Sequence, residues 1–271
     1  MPELPEVETT RRGISAHVTN RKVIDVILRQ EKLRWPIPRA LKAELPGQII
    51  RAVERRGKYL LLEASEGTLL IHLGMSGSLR IVDQQRAIGK HDHVDIVFEG
   101  GLILRYTDPR RFGCMLWQQA DMASHPLLSS LGPEPLGEQF DASYLFARSR
   151  KRSAAIKTFV MDSRVVVGVG NIYANESLFL AGINPKRAAG KISLQRYQKL
   201  VAAIKQILQT AIDVGGTTLR DFTDSDGKPG YFAQSLQVYG RRGEACTKCG
   251  QRLKEIRLGQ RSTVYCTGCQ K

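Results

Sequence analysis

The sequence predicts an α+β protein with a β-rich first third led by one helix, a helical second part, and a small cysteine-bearing tail. Three observations carry that expectation. Short apolar or alternating runs, punctuated by glycine, occupy residues 23–117. A long helical period lies near residues 193–214, and two Cys-x-x-Cys pairs close the chain.

The opening helix is expected with Pro5 near its first turn and Gly13 near its end. Strands follow at Val23–Leu28, Ile49–Arg55, Tyr59–Glu63, Thr68–Leu73, Ser78–Ile81, Val94–Phe98, Leu102–Tyr106 and Cys114–Trp117. Many short strands with such turn chemistry suggest an antiparallel sandwich or barrel. Gly132-Pro133-Glu134-Pro135-Leu136-Gly137 can continue neither a helix nor a central strand, so a linker is placed there. Helices are expected at Ser153–Met161, Asn171–Ala181 and Ser193–Val214. In the last of these Leu194, Tyr197, Leu200, Val201, Ile204, Leu208, Ala211 and Ile212 share one face. Ser193 is its expected N-cap and Gly215 its stop. The division is therefore residues 1–131, a linker at 132–152, a helical domain at 153–235 and a tail at 236–271. No internal repeat is visible.

The 271 residues carry 41 Lys and Arg against 26 Asp and Glu, a net charge of +15, yet 42% are hydrophobic. A chain with that apolar content folds, so the charge lies on a folded surface and favours a polyanion, nucleic acid before membrane. No apolar run of membrane-spanning length occurs. Glu3, Glu6 and Glu8 argue against a secretory signal, and five cysteines, four of them in the tail, fit a reduced intracellular protein.

Cys246 and Cys249, then Cys266 and Cys269 after sixteen residues, have the spacing of a zinc ribbon. Two knuckles close a tetrahedral site with no open position, so one structural Zn2+ is expected, replacing a core that so short a tail cannot build. Disulfides, free thiols or an iron–sulfur cluster are the competing readings. From Leu236 to Lys271 eight Lys and Arg face two Glu, and a hairpin over Gln251–Tyr265 should carry Arg257 and Arg261 outward, towards nucleic acid.

Met1 precedes the small residue Pro2, so its removal is expected to expose a secondary amine. With an α-amino pKa of about 8, a useful fraction is neutral and nucleophilic. Attack on a sugar carbon would give an iminium that acidifies the neighbouring C–H, with Glu3 and Glu6 close enough to move protons. The competing reading is a plain helix start, with Pro5 in the first turn and Glu6 and Glu8 favourable to the dipole.

Met1-Pro2-Glu3-Leu4-Pro5-Glu6-Val7-Glu8-Thr9 resembles the opening of the bacterial formamidopyrimidine-DNA glycosylase family, and the resemblance runs the whole length. It includes Arg55-Arg56-Gly57-Lys58-Tyr59-Leu60, His72-Leu73-Gly74-Met75-Ser76-Gly77, Lys90-His91-Asp92-His93 and Tyr106-Thr107-Asp108-Pro109-Arg110-Arg111-Phe112-Gly113. Val167-Gly168-Val169-Gly170-Asn171-Ile172-Tyr173-Ala174 and the zinc motif complete it.

The resemblance implies an N-terminal antiparallel β-sandwich, a helix–two-turn–helix domain and a zinc-finger hairpin. It implies a base-excision repair enzyme, a glycosylase and abasic-site lyase acting on damaged double-stranded DNA. Pro2 would form the Schiff base at C1′, Glu3 would assist the opening sugar, Lys58 would serve β-elimination and Arg261 δ-elimination. An everted base leaves a gap to fill; Met75 and Phe112 would fill it, with Arg110 on the orphaned base. His91, Arg152 and Asn171 would contact DNA, Asn171 at a helix N-terminus behind Gly168-x-Gly170, and Arg152 where relatives commonly have lysine. The basic run Arg148, Arg150, Lys151, Arg152 and Lys157 supports the same surface. A second metal at His91 and His93 is rejected for want of further ligands.

Thr217–Phe232 corresponds to the family's loop over the everted base, and Leu4 departs from the Pro-Glu-Gly-Pro opening of endonuclease VIII, so oxidised purines are the expected substrates. A monomer in the bacterial cytoplasm, at the nucleoid and without membrane association, is expected. The competing classes are a non-enzymatic lesion-binding protein and the pyrimidine-preferring relative.

Overall fold

Two antiparallel sheets share one core in the first part of the chain. The structure is a computed structural model and describes residues 2–119, 122–216 and 232–271. Helix α1 (Leu4–Val18) leads to β1 (Val23–Leu28) and a short helix α2 (Arg39–Glu44). Strands β2 (Ala52–Arg56), β3 (Tyr59–Ala64), β4 (Gly67–His72), β5 (Ser78–Val82), β6 (Asp92–Phe98), β7 (Ile103–Thr107) and β8 (Cys114–Gln118) follow. One sheet runs β1-β6-β7-β5 and the other β2-β3-β4-β8. Val26, Ile96, Leu104 and Leu79 from the first meet Val53, Leu62, Leu69 and Met115 from the second, with Val7, Ile14 and Val18 of α1 in the same cluster. This is the expected sandwich; β3 alternates as a half-buried strand does, whereas β6 and β7, in the middle of their sheet, are buried almost throughout.

Helix α1 runs past Gly13, the expected stop, because Ile14 and Val18 are fully buried. Burying two such side chains is worth about 1.5–3 kcal/mol each and outweighs the cost of about 1 kcal/mol for an internal glycine. The helix ends at Thr19, before Asn20 at φ 62°.

The chain divides into two compact units, Met1–Ser129 with Val214–Ala233, and Ser130–Asp213 with Gln234–Lys271. The first ends in the short helix α3 (Pro126–Ser129). The second holds α4 (Ala142–Ser149), α5 (Ile156–Val160), α6 (Asn171–Leu180), α7 (Leu194–Asp213) and the hairpin β9 (Lys254–Leu258) and β10 (Arg261–Tyr265). The stretch read as a linker, residues 132–152, therefore includes α4, which Asp141 caps by accepting from the Tyr144 N–H at 2.7 Å. Helix α7 has the expected face apart from Leu194, which is exposed at its first turn. The Ser193 hydroxyl accepts from the Arg196 N–H, and Gly215 stands just past the end at φ 80°.

Candidate functional site

The N-terminus is organised before any chemistry is asked of it. Glu3 is the N-cap of α1, and a capping box closes in both directions: Glu3 accepts from the Glu6 backbone, and the Glu6 carboxylate accepts from the Glu3 N–H at 2.8 Å. Both carboxylates are buried, and buried Pro2 stands immediately before them. The helix-start reading and the chemical reading thus share the Glu3–Glu6 pair, and Glu8 serves neither. One turn on, Glu8 pairs with Arg11, Arg12 and Arg55. Burial pushes its carboxyl up, but the three guanidinium hydrogen bonds outweigh that and hold it at about 2.

Arg55 also donates from Nη1 to the Gly57 carbonyl at 3.0 Å, which ties α1 to the β2–β3 turn. Gly57 supplies the positive φ of 58° that a two-residue hairpin needs, and half-buried Lys58 is the other turn residue. Tyr59 pairs with His72 across β3 and β4, ring centroids 5.0 Å apart. His72 Nδ1 accepts from the Gly74 N–H, so Nε2 carries the proton of the neutral ring. Burial first, then the Lys58 and Arg34 charges, push this imidazole down to about 4. His72 and Arg34 were not singled out from the sequence; only the fold sets the Lys58 and Arg34 charges near the His72 ring.

The structure brings Met75, Arg110 and Phe112 onto two touching loops. Gly74 packs so closely on residues 112–113 that a Cβ there would lie 2.4 Å from the Gly113 nitrogen, and its φ is +66°. Asp108, fully buried, is the clasp. Its carboxylate accepts from Ser76 Oγ (2.8 Å), Tyr106 Oη (3.1 Å) and the Gly113 N–H (2.9 Å), and its carbonyl meets His93 Nε2 at 2.8 Å. Its own N–H donates to the carbonyl of half-buried His91. The tip left outside is polar and aromatic: Phe112 is 46% exposed, with the exposed Arg110 guanidinium 4.9 Å from its ring centre and Met75 half-buried. Asp108 lay inside a quoted motif, but its clasping role needed the three-dimensional contacts.

Residues 217–231 lie outside the described residues, and with them most of the expected base-covering loop. Its flanks are fixed. The Phe232 N–H donates to the Gly216 carbonyl at 3.0 Å, and a Cβ on Gly216 would meet Glu6 Oε1 at 3.3 Å.

In the second unit Gly168 (φ 80°) turns the chain into α6, with Gly170 as N-cap and half-buried Asn171 as first residue. The basic run is divided by the fold. Lys157 is buried and donates to Asn171 Oδ1 (2.6 Å), the Ser262 carbonyl (2.8 Å) and Thr263 Oγ1 (2.7 Å). It pins the hairpin to α6 and is no surface contact, which corrects its place in the run. Arg150 is likewise turned inward, stacked 3.9 Å from the Phe146 ring centre and donating to the Gly190 and Ile192 carbonyls. Arg148, Lys151 and Arg152 are exposed. Exposed Arg152 and Arg261 line one cleft of about 580 Å³.

The four tail cysteines present sulfurs all within 4.8 Å of one another. A tetrahedral zinc with Zn–S near 2.3 Å sets S···S at about 3.8 Å. Cys246 and Cys269 sulfurs are 3.9 Å apart and Cys249 and Cys266 sulfurs 3.4 Å. The donor set therefore fits one structural zinc ion, and the knuckle is shaped for it: a Cβ on Gly268 would meet Gln251 Oε1 at 2.5 Å. Phe179, Val238, Leu253 and Val264 form the small core beneath. Glu176, buried in α6, accepts from the N–H groups of Gln237, Val238 and Tyr239 at 2.9, 3.0 and 2.8 Å, holding the entry to the tail.

Known proteins agree with this arrangement along the whole chain. Residues 1–115 match the formamidopyrimidine-DNA glycosylase N-terminal domain, 131–223 its H2TH domain, and 243–271 the zinc finger found in FPG and IleRS. Formamidopyrimidine-DNA glycosylases of Stutzerimonas stutzeri and Idiomarina loihiensis are 62% and 60% identical over 271 residues, covering 100% of both chains. A Lactococcus lactis FPG mutant in complex with a Fapy-dG-containing DNA is similar at TM-score 0.93 and 34% identity, covering 100% of both chains. The MutM (FPG) protein of Thermus thermophilus is similar at TM-score 0.89 and 35% identity, covering 99% of this chain and 98% of its own.

Proposed function

The chain belongs to the formamidopyrimidine-DNA glycosylase family, and on that premise we propose that it is a bifunctional glycosylase and abasic-site lyase for oxidised purines in duplex DNA. The observation that carries the reading is Pro2 standing directly before a buried, mutually hydrogen-bonded Glu3–Glu6 pair. With Met1 removed, the Pro2 nitrogen attacks C1′ and the damaged base leaves with a proton. Ring opening, assisted by Glu3, gives an iminium at C1′. Loss of a C2′ proton expels the 3′ phosphate, δ-elimination expels the 5′ phosphate, and hydrolysis of the imine frees Pro2. Lys58 serves the first elimination and Arg261 the second. The zinc ion would take no part in these steps; held by the four cysteines, it would brace the small core under the hairpin that carries Arg261.

Met75 and Phe112 fill the vacated base position, and Arg110 meets the orphaned partner. Their support is the Asp108 clasp, which leaves the Phe112 ring exposed beside Arg110, a setting a core residue would not occupy. His91, Arg152 and Asn171 bind the backbone, Asn171 at the N-terminus of α6, where the helix dipole favours phosphate. We place this activity in a monomer at the bacterial nucleoid; among the described residues no helix is long and apolar enough to cross a membrane.

The test is substrate choice. A duplex with 8-oxoguanine opposite cytosine should be excised and nicked on both sides, and thymine glycol far more slowly. A preference for thymine glycol would assign the pyrimidine branch, and binding without excision would leave a lesion-binding protein.

A further inference from the structure

Glu8 is the acid of the opening segment that neither the capping box nor the proposed chemistry uses. Buried on α1, it accepts from Arg11 Nη2 and Arg12 Nε at 2.9 Å and from Arg55 Nε at 3.0 Å. Arg11 and Arg12 stand one turn along the same helix and already outnumber the charge they face. Arg55 comes from 47 positions away and is not needed to neutralise it. Its other end accounts for its presence, because Nη1 donates to the Gly57 carbonyl at 3.0 Å. One rigid guanidinium therefore spans from α1 to the β2–β3 turn. That turn lies beyond the sheet, since Arg56 and Tyr59 form the last pair of the β2–β3 ladder. Val7 and Val53 share the core that seats β2 on the helix, and Arg11 Nη1 donates to the Val53 carbonyl at 3.2 Å. Both contacts act well short of Gly57 and Lys58.

We propose that Glu8 and Arg55 are positioning residues for strand cleavage: the carboxylate, through the guanidinium, sets the turn that carries Lys58 against the helix that begins behind Pro2. The proposal rests on the roles given above to Pro2 and Lys58 and deepens them. In the elimination the C2′ proton passes to the neutral Lys58 amine, and its C–H pair becomes the double bond of an enamine on Pro2. The enamine then expels the 3′ phosphate with the C3′–O pair and restores the iminium. Such a transfer needs the base within hydrogen-bond reach, although adduct and base stand on separate segments. A misplacement of about 1 Å can cost about 10²-fold in rate. Burial pushes the Glu8 carboxyl up, but its guanidinium partners bring it down to about 2, so the tie stands at neutral pH.

The experiment is single-turnover reaction of the full chain with a duplex carrying a preformed abasic site, read in two ways. Borohydride trapping gives the rate of adduct formation at Pro2, and strand scission gives the rate of elimination. Arg55→Lys keeps every charge and both local partners of Glu8, but it cannot span from Glu8 to Gly57. It should slow scission about tenfold while adduct formation changes less than about threefold, and Glu8→Gln should do the same. Arg12→Ala, which removes an exposed partner of the same carboxylate and leaves the bridge, should change neither rate. In a Lys58→Ala chain, Arg55→Lys should cost the residual scission nothing further, because residues acting through one step are not additive. Unslowed scission in Arg55→Lys, or an equal loss in Arg12→Ala, overturns the proposal. So does adduct formation that falls as far as scission, or a full additive loss in the Lys58→Ala chain, either of which marks a merely structural part. Undiminished scission by Lys58→Ala alone sinks the Lys58 assignment beneath the proposal, whereas no trapping by the wild-type chain sinks the enzyme.

Discussion

Glu8 and His72 are charged and neutral for opposite reasons, and both bear on the first unit's stability in acid. Glu8 is held at about 2 against an ordinary 4.5, so its contribution is full above pH 4.5 and is lost as pH falls towards 2. His72 is held at about 4 against 6.5. Between those values the unfolded chain takes up a proton that the folded chain refuses, so stability falls as pH drops from 6.5 to 4. Thermal unfolding across pH 7 to 3 should therefore show an early loss that His72→Gln removes, since the amide oxygen can still accept from the Gly74 N–H, and a later one that Glu8→Gln removes. A melting temperature that is flat from pH 6.5 to 4 in the wild-type chain would contradict the His72 assignment. Neither role was legible in the sequence. Glu8 has local partners in Arg11 and Arg12 and His72 in the Gly74 N–H, but the third guanidinium, Arg55, arrives only when α1 meets β2, and the burial of His72 beside Tyr59 only when β3 meets β4.

The strands were legible because they are short apolar or alternating runs ended by turn residues, and the observed limits of β1, Val23–Leu28, are those expected. Of the short helices, α5 was expected within Ser153–Met161, but α2 and α4 escaped: they offer too few turns for a 3.6 period to show, and the Asp141 cap of α4 is one residue's signal. The cysteine tail was legible for the opposite reason, since spacing alone determines how sulfurs meet. At this scale zinc removal is the decisive perturbation. Chelation, or Cys249→Ser, should unfold the hairpin, weaken DNA binding at least about tenfold, and leave the two sheets of the first unit folded. Hydrogen exchange would show the loss of protection in β9 and β10 with β1–β8 unchanged. Full affinity in the zinc-free protein would refute the hairpin's part in binding.

Over the whole molecule the excess of fifteen positive charges is the property that composition announced and the fold distributes. Some of that charge never reaches DNA: Lys157 and Arg150 are spent on carbonyls, and Arg105 on Asp95 in the first sheet. Counting a basic run overstates a surface, because a buried cation with good acceptors is indistinguishable in sequence from an exposed one. What stays exposed is still ample, and binding to a lesion duplex should weaken steeply with salt. For six or more phosphate contacts the fall between 50 and 200 mM salt is about 10³-fold or more, and a flat response measured by fluorescence anisotropy would contradict the assigned surfaces.

The most direct test of the whole account is borohydride reduction during turnover on an 8-oxoguanine duplex, followed by mass mapping of the trapped peptide. The account predicts a chain that begins at Pro2, with the sugar remnant on that residue's nitrogen. A remnant on Lys58, or undiminished strand scission by a chain whose Pro2 nitrogen is blocked, would contradict it.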